Sequence, residues 1–329
     1  MANKTVAVFG GGLWGAVLAQ HVSQAGPMPK VRLWEFFPEA ARALAASRRH
    51  PHIPGFRLDP AVEVTSDLSR ASQGADVLLF ALPSAALRAS ARALAPFLAE
   101  RRPLIVNASK GVEPNTLKTM GDILAEELPH AAVYTLSGPS FAREVARGMP
   151  TKIVLAGPPG HARTLLRLLD GGALRVSLSD DRKGVELGGS LKNVLAIGAG
   201  ILDGLKAGDN AKAALLVEGI DEMGRLIAAA GGKRETIYGL AGLGDLVLTG
   251  TSGESRNRSF GEKLGCGLSP ERARAAIPTV VEGCEAAVSA LALARRLRVR
   301  APVIAAVHAA VRRGKPASGV LRALGLATP

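Results

Sequence analysis

Cysteine is nearly absent. Cys266 and Cys284 are the only two in 329 residues, too few for a disulfide framework. No CxxC pair or Cys/His grouping offers zinc ligands, so no metal is expected. Aromatic residues make up only 4 % of the chain, which leaves few stacking platforms for single-stranded nucleic acid. No run of about 18 apolar residues occurs, so no membrane-spanning helix is expected. The opening residues lack the basic, apolar and small-residue succession of a signal peptide, which points to the cytoplasm. There is no internal repeat at a period of about 20–50 residues. The histidines number only six, and His50 and His52, flanking Pro51, are expected to be solvent-exposed loop residues.

What is present is a globular balance of 47 % hydrophobic and 21 % charged residues, at a length that suits two domains. The net charge is +13. Arg295, Arg296, Arg298 and Arg300 lie in Ala/Leu/Arg text that reads as a solvated helix face. Attraction of phosphorylated ligands, or weak association with an anionic lipid surface, is the other meaning of that charge, and nucleic acid is not expected.

The first half alternates short apolar runs with helical patterns. The runs are 6–9, 31–34, 77–82, 104–106, 133–136 and 153–156, and several are apolar throughout, the mark of strands buried on both faces. Helical stretches such as 16–24 and 85–99 lie between them. This predicts an α/β fold whose N-terminal domain, residues 1–180, is a Rossmann-like doubly wound parallel sheet. From about residue 181 to 329 helical patterns follow one another, at 184–202, 211–230, 272–275, 284–297 and 302–312, and predict an all-helical second domain.

The first strand runs into Gly10-Gly11-Gly12-Leu13-Trp14-Gly15, a G-x-G-x-x-G between a strand and a helix. Gly10 permits the tight turn, Gly12 lets a pyrophosphate approach the backbone, and Gly15 lets helix and strand pack closely. The helix N-terminus offers free N–H groups to the phosphates. Glu35 stands 20 residues past Gly15, where an acidic side chain bonds the adenosine ribose. A 2′-phosphate there would meet like charge, so NAD is the expected cofactor, with NADP the alternative.

Four further segments carry chemistry. Lys110, in Asn107-Ala108-Ser109-Lys110-Gly111, follows a buried strand at the carboxyl edge where such sheets bind ligands. Ser137-Gly138-Pro139-Ser140-Phe141-Ala142 reads as a turn and helix start with Ser140 as a cap, and its backbone is also placed to line a nicotinamide. Residues 186–200 put Gly188, Lys192, Ala196 and Gly200 on one helix face made for close approach. A lysine against a close-packed apolar surface loses its charge more readily than in water, which suits proton transfer near neutral pH. Glycines surround Asp245 in 239–246, Thr249 follows, and Ser255-Arg256-Asn257-Arg258 offers planar donors for a phosphate.

Taken together, 107–111, 137–142, 188–200, 239–249, 255–258 and 280–283 resemble, in order, the signature segments of the NAD(P)-dependent glycerol-3-phosphate dehydrogenases, over nearly the whole chain. The resemblance implies a Rossmann domain followed by a helical domain like the C-terminal domain of 6-phosphogluconate dehydrogenase, assembled as a homodimer. It implies reversible reduction of dihydroxyacetone phosphate to sn-glycerol 3-phosphate, feeding glycerophospholipid synthesis. Lys192 then looks like the proton donor and acceptor. Lys110, Asn193, Asp245 and Thr249 look like the network around the substrate oxygens, with Gly138 and Ser255 nearby and Arg256 and Asn257 as the phosphate clamp. Gly10, Gly12, Gly15, Leu13, Trp14, Glu35, Phe36, Lys110, Gly138, Ser140, Ala142, Arg256, Val280 and Glu282 look like cofactor contacts.

The chain departs from bacterial members at Leu13, where they often carry a small polar residue, and near Glu35-Phe36, where they often carry a basic or polar one. Trp14 and the stretch 208–212 look more like eukaryotic members. These departures bear on cofactor preference. Two other classes share parts of the pattern: a β-hydroxyacid or 6-phosphogluconate type dehydrogenase, opposed by 239–246 and 255–258, and a non-enzymatic dinucleotide-sensing or basic-surface binding protein, supported only by the charge.

Overall fold

A computed structural model describes residues 4–26, 28–98, 101–277 and 280–326. Two compact units divide the chain. The first comprises residues 1–110 and 120–182, the second 111–119 and 183–329.

Among the described residues the first unit holds eight strands and seven helices. In chain order these are β1 Thr5–Phe9, α1 Leu13–Ser23, β2 Lys30–Trp34, α2 Pro38–Ser47, β3 Glu63–Thr65, α3 Leu68–Ser72, β4 Val77–Phe80 and α4 Ser84–Leu98. They continue with β5 Leu104–Asn107, α5 Met120–Glu127, β6 Ala132–Ser137, α6 Ala142–Ala146, β7 Thr151–Ala156, α7 Pro159–Leu169 and β8 Leu174–Ser179. The sheet order is β3-β2-β1-β4-β5-β6-β7-β8. Its first six strands are parallel and follow the doubly wound order of a dinucleotide-binding domain. Val6 to Phe9 and Val77 to Phe80 are fully buried, so β1 and β4 form the middle of a sheet covered on both faces.

The expected fold class holds, with three departures in detail. β7 pairs antiparallel to β6, and β8 then runs parallel to β7. Residues 153–156 are buried on both faces whichever way the strand runs, so the apolar run carries no sign of direction. β3 and β8, which the apolar pattern does not predict, are the two sheet edges. β3 is three half-buried residues, and in β8 the buried Leu174 and Val176 alternate with more exposed positions. Helix α4 ends at Leu98, and residue 99 of the expected helix lies outside the described residues.

The second unit is helical among the described residues: α8 Arg182–Gly204, α9 Gly208–Ala229, a 3₁₀ turn Arg234–Tyr238, a π turn Leu240–Gly244, α10 Asp245–Thr251 and α11 Arg256–Gly265. After these come α12 Pro270–Ala275, α13 Glu282–Arg296, α14 Pro302–Arg313 and α15 Gly319–Ala323. The short helices α10, α11 and α15 are additional to those the periodicity predicts. Residues 111–119 join this unit: the Gly111 N–H donates to Ser190 Oγ at 2.9 Å, Thr119 Oγ1 to Glu186 Oε2 at 2.6 Å, and Ser289 Oγ to the Val112 carbonyl at 2.7 Å.

Helix α8 is the axis of the unit and is buried along almost its whole length. By length and composition it is apolar enough to cross a membrane, yet its apolar stretch is buried entirely inside the protein. It includes the buried polar residues Glu186, Ser190, Lys192 and Asn193, which belong to an internal network rather than a lipid-facing surface. Gly200 and Gly204 face Gly261 and Gly265 of α11. A Cβ on Gly200 would stand 1.9 Å from the Arg258 carbonyl oxygen, and one on Gly261 2.0 Å from that of Ile197. Only glycine allows the two backbones this approach.

Candidate active site

In the first unit the turn from β1 into α1 is shaped by its glycines. Gly10 has φ +115°, and a Cβ there would lie 2.5 Å from the Ala81 carbonyl oxygen. A Cβ on Gly15 would lie 1.9 Å from the Gly10 carbonyl oxygen. Gly12 differs: it is exposed, and a Cβ there would meet nothing within 4 Å. It starts α1, whose first turn has no side-chain cap and no acidic residue, leaving N–H groups and the positive end of the helix dipole at Leu13 and Trp14. These features fit a pyrophosphate. Glu35 directly follows β2, where Oε2 accepts the Gly11 N–H at 3.1 Å and Oε1 the Phe37 N–H at 3.0 Å. Phe36 and Phe37 are exposed and pack edge to face on one another, with Phe36 also edge-on to Trp34.

Asn107 and Ser109 form a closed turn after β5, with the Ser109 N–H on Asn107 Oδ1 at 3.0 Å and Asn107 Nδ2 on the Ser109 carbonyl at 3.1 Å. This turn sets Lys110, whose Nζ lies 3.5 Å from the Gly138 carbonyl. Ser140 Oγ donates to the same carbonyl at 3.2 Å. The expected capping role of Ser140 therefore does not form: the residue before α6 is Phe141, without a side-chain cap, and Ala142 is its first residue. Gly138 has φ +132°, and its Cβ position would be 3.0 Å from Ile153 Cα.

His50 is a correction. It is buried rather than solvent-exposed, because Ile53, Phe56 and Leu58 bury their side chains and draw the loop inward, whereas His52 is exposed. His50 Nε2 lies 3.2 Å from the Gly11 carbonyl.

In the second unit Lys192, on α8, is 6 % exposed. Its Nζ donates to Asp245 Oδ1 at 3.0 Å and to Thr249 Oγ1 at 2.6 Å. The apolar setting expected from the small residues is thus incomplete, since a buried carboxylate faces the amine and favours its ammonium form. Asp245 reaches it because the chain widens just before α10. The Gly244 N–H bonds to the Gly239 carbonyl five residues back, and a Cβ on Gly242 would stand 2.1 Å from the Ile237 carbonyl oxygen. Thr249 Oγ1 in turn donates to the Asp245 carbonyl at 2.6 Å.

A second polar chain starts one residue further along α8. Asn257 Nδ2 donates to Asn193 Oδ1 at 2.9 Å, Asn257 Oδ1 accepts the Gly283 N–H at 2.9 Å, and Asn193 Nδ2 donates to Glu282 Oε2 at 3.4 Å. Ser255 is the N-cap of α11, accepting the Arg258 N–H at 3.2 Å. Arg256 is the exposed first residue of that helix, and Val280 is exposed ahead of α13. The second unit thus gathers Lys192, Asn193, Asp245, Thr249, Asn257 and Glu282 around one stretch of α8.

A strand-turn-helix glycine loop in a doubly wound sheet, together with a helical unit built on a buried lysine, defines the class of two-domain dinucleotide-linked dehydrogenases. Residues 5–162 match the family model for the NAD-dependent glycerol-3-phosphate dehydrogenase N-terminus, and residues 181–322 that for its C-terminus. A glycerol-3-phosphate dehydrogenase [NAD(P)+] of Rhodospirillum rubrum is 43% identical over 92% of this chain and 86% of its own length. One from Geobacter sulfurreducens is 42% identical over 96% and 95%. The crystal structure of the Coxiella burnetii glycerol-3-phosphate dehydrogenase superposes with a TM-score of 0.91 at 36% identity, covering 98% of each chain. The chain belongs to the NAD-dependent glycerol-3-phosphate dehydrogenase family, and is an oxidoreductase with NAD(P) as its cofactor.

Proposed function

We propose that this chain catalyses the reversible reduction of dihydroxyacetone phosphate to sn-glycerol 3-phosphate. The observation that carries the reading is the buried Lys192 held on Asp245 and Thr249. Bound NAD(P)H supplies the hydride for the ketone carbon. The oxygen of that ketone then needs a proton, and Lys192 Nζ gives it, taking it back in the reverse direction. Asp245 and Thr249 hold Nζ in one place, so the transfer carries little orientational cost. Arg256 and Asn257 take the phosphate, with Ser255 fixing the start of α11 and Asn193 fixing the Asn257 amide.

In the first unit, residues 10–15 hold the pyrophosphate with Leu13 and Trp14 at the helix start. Glu35 and Phe36 take the adenosine end, and Lys110, Gly138, Ser140 and Ala142 the nicotinamide end, where Lys110 adds positive charge. Val280, Glu282 and Arg256 keep the cofactor contacts that the family resemblance gives them. The enzyme works in the cytoplasm as a homodimer, and its product enters glycerophospholipid synthesis.

The test is NADH oxidation followed by absorbance with dihydroxyacetone phosphate and with unphosphorylated dihydroxyacetone. The phosphate-free ketone leaves the clamp donors unpaired, and its kcat/KM is expected to fall on the order of 10²-fold or more. Equal turnover of the two ketones would remove the clamp from the proposal.

A further inference from the structure

His50 lies in the loop between α2 and β3 and is 7 % exposed. Both of its ring nitrogens have backbone partners. The His52 N–H donates to Nδ1 at 3.2 Å, and Nε2 lies 3.2 Å from the Gly11 carbonyl. A backbone N–H only donates, so Nδ1 carries the lone pair. The ring proton is therefore on Nε2 and is donated to Gly11, and a charged imidazolium would lose the His52 bond. Burial also lowers the pKa of His50, with the Gly11 bond opposing this and His52 adding to it, which favours the same neutral form.

Gly11 is held on its other side as well. Its N–H goes to Glu35 Oε2 at 3.1 Å, and a Cβ on Gly11 would lie 2.5 Å from that oxygen. The two peptides flanking Gly11 are thus each fixed by a side chain, one from the end of β2 and one from the loop after α2. In a trans peptide the N–H of the next residue points opposite to the carbonyl. With the Gly11 carbonyl on His50, the Gly12 N–H points away from His50.

We propose that His50 is a positioning residue for the dinucleotide: its neutral imidazole fixes the Gly11–Gly12 peptide so that the Gly12 N–H is aimed at the pyrophosphate before the cofactor arrives. This rests on the reading of residues 10–15 as the pyrophosphate loop. Without the His50 bond the peptide has one fewer restraint against rotation, and cofactor binding must supply that order itself. The effect falls on cofactor affinity and not on the proton transfer at Lys192.

Two isosteres separate the ring's two contacts. In His50→Gln the side-chain amide reaches the place of Nε2 and donates to Gly11. In His50→Asn the shorter side chain reaches only the place of Nδ1, so it keeps the His52 contact and loses Gly11. Titration calorimetry with NADH, with thermal melts as the folding check, compares both with wild type. The expected result is a Kd raised about 5- to 10-fold in His50→Asn, the scale of one net hydrogen bond, and within about twofold of wild type in His50→Gln. The kcat at saturating NADH and the KM for dihydroxyacetone phosphate stay within about twofold in both variants. A wild-type Kd in His50→Asn, or equal losses in the two variants, overturns the proposal. Absence of NADH binding by the wild type overturns the loop reading beneath it.

Discussion

The two glycine-rich segments spend the same residue on different problems. In residues 10–15 of the first unit, glycine shapes an open turn: Gly10 turns the chain at a positive φ, and Gly12 leaves open space where a side chain would stand. In α8 and α11 of the second unit, glycine serves the protein. Gly200, Gly204, Gly261 and Gly265 are filled by the opposing backbone, and each of their Cβ positions lies within 2.3 Å of a carbonyl oxygen on the other helix. The helical glycines each give up about 1 kcal/mol of helix propensity relative to alanine. What this obtains is location. Drawing α11 against α8 brings Asn257 to Asn193 and sets the start of α11 within one polar chain of Lys192's helix. In the loop the glycine leaves space open, and in the helices it lets two backbones meet.

If helix packing in the second unit exists to hold a proton donor, removing the donor has the largest effect. Lys192→Ala is expected to lower kcat by about 10²-fold or more with NADH affinity little changed. Alanine also leaves Asp245 buried without its cation, which costs about 3–5 kcal/mol and threatens folding. Lys192→Arg retains a cation for Asp245 but does not release a proton near neutral pH, so it is expected to melt closer to wild type while staying as inactive as the alanine variant. Near-normal kcat in either variant would pass the proton transfer to another group, with Lys110 next in line.

The comparison itself is sharpened by one pair of substitutions. Gly261→Ala places a methyl 2.0 Å from the Ile197 carbonyl oxygen, so α8 and α11 must separate, and a loss of about 2 kcal/mol or more is expected despite the better helix former. Gly12→Ala meets nothing within 4 Å, so its stability is expected to change by less than about 1 kcal/mol while its NADH affinity falls. Urea unfolding and NADH titration on both proteins read the two axes. Similar losses of stability in both would erase the distinction between ligand-serving and packing glycines.

The doubly wound plan was legible because central strands such as β1 and β4 are apolar throughout, and the helical unit because its long helices keep their period. The edges were not: β3 is too short and too polar to stand out from a loop. The direction of β7 was hidden because burial on both faces looks the same either way. At the site, the motifs gave the residue types but not their partners. The aspartate and the threonine lie 53 and 57 residues from Lys192 along the chain, and only the folded backbone shows that one carboxylate and one hydroxyl share its amine. His50 escaped because a His-Pro-His loop carries no periodic signal, and its burial depends on three apolar neighbours drawing the loop inward.

The smallest expected effect concerns which nicotinamide dinucleotide is preferred. Each Glu35 oxygen accepts one backbone N–H and keeps a second lone pair, so the carboxylate can hold the Gly11 amide and still accept from the ribose hydroxyls. A 2′-phosphate at that place would face an anion. Of the nearby arginines, Arg32 is buried on Gln73 and Glu63 and Arg48 donates to the Val62 carbonyl at 2.6 Å, while Arg42 is exposed on α2. NAD is therefore expected to be preferred over NADP. Glu35→Ser removes the repulsion and also the ribose bonds, so the ratio of kcat/KM for NADH over NADPH should fall by about tenfold, the scale of one charge-assisted hydrogen bond. Part of the NADH loss will come from the freed Gly11 amide rather than the ribose, and that part weakens both cofactors alike, so the ratio isolates the ribose term. A wild-type preference for NADPH, unmoved by the substitution, would show that Glu35 serves the loop alone.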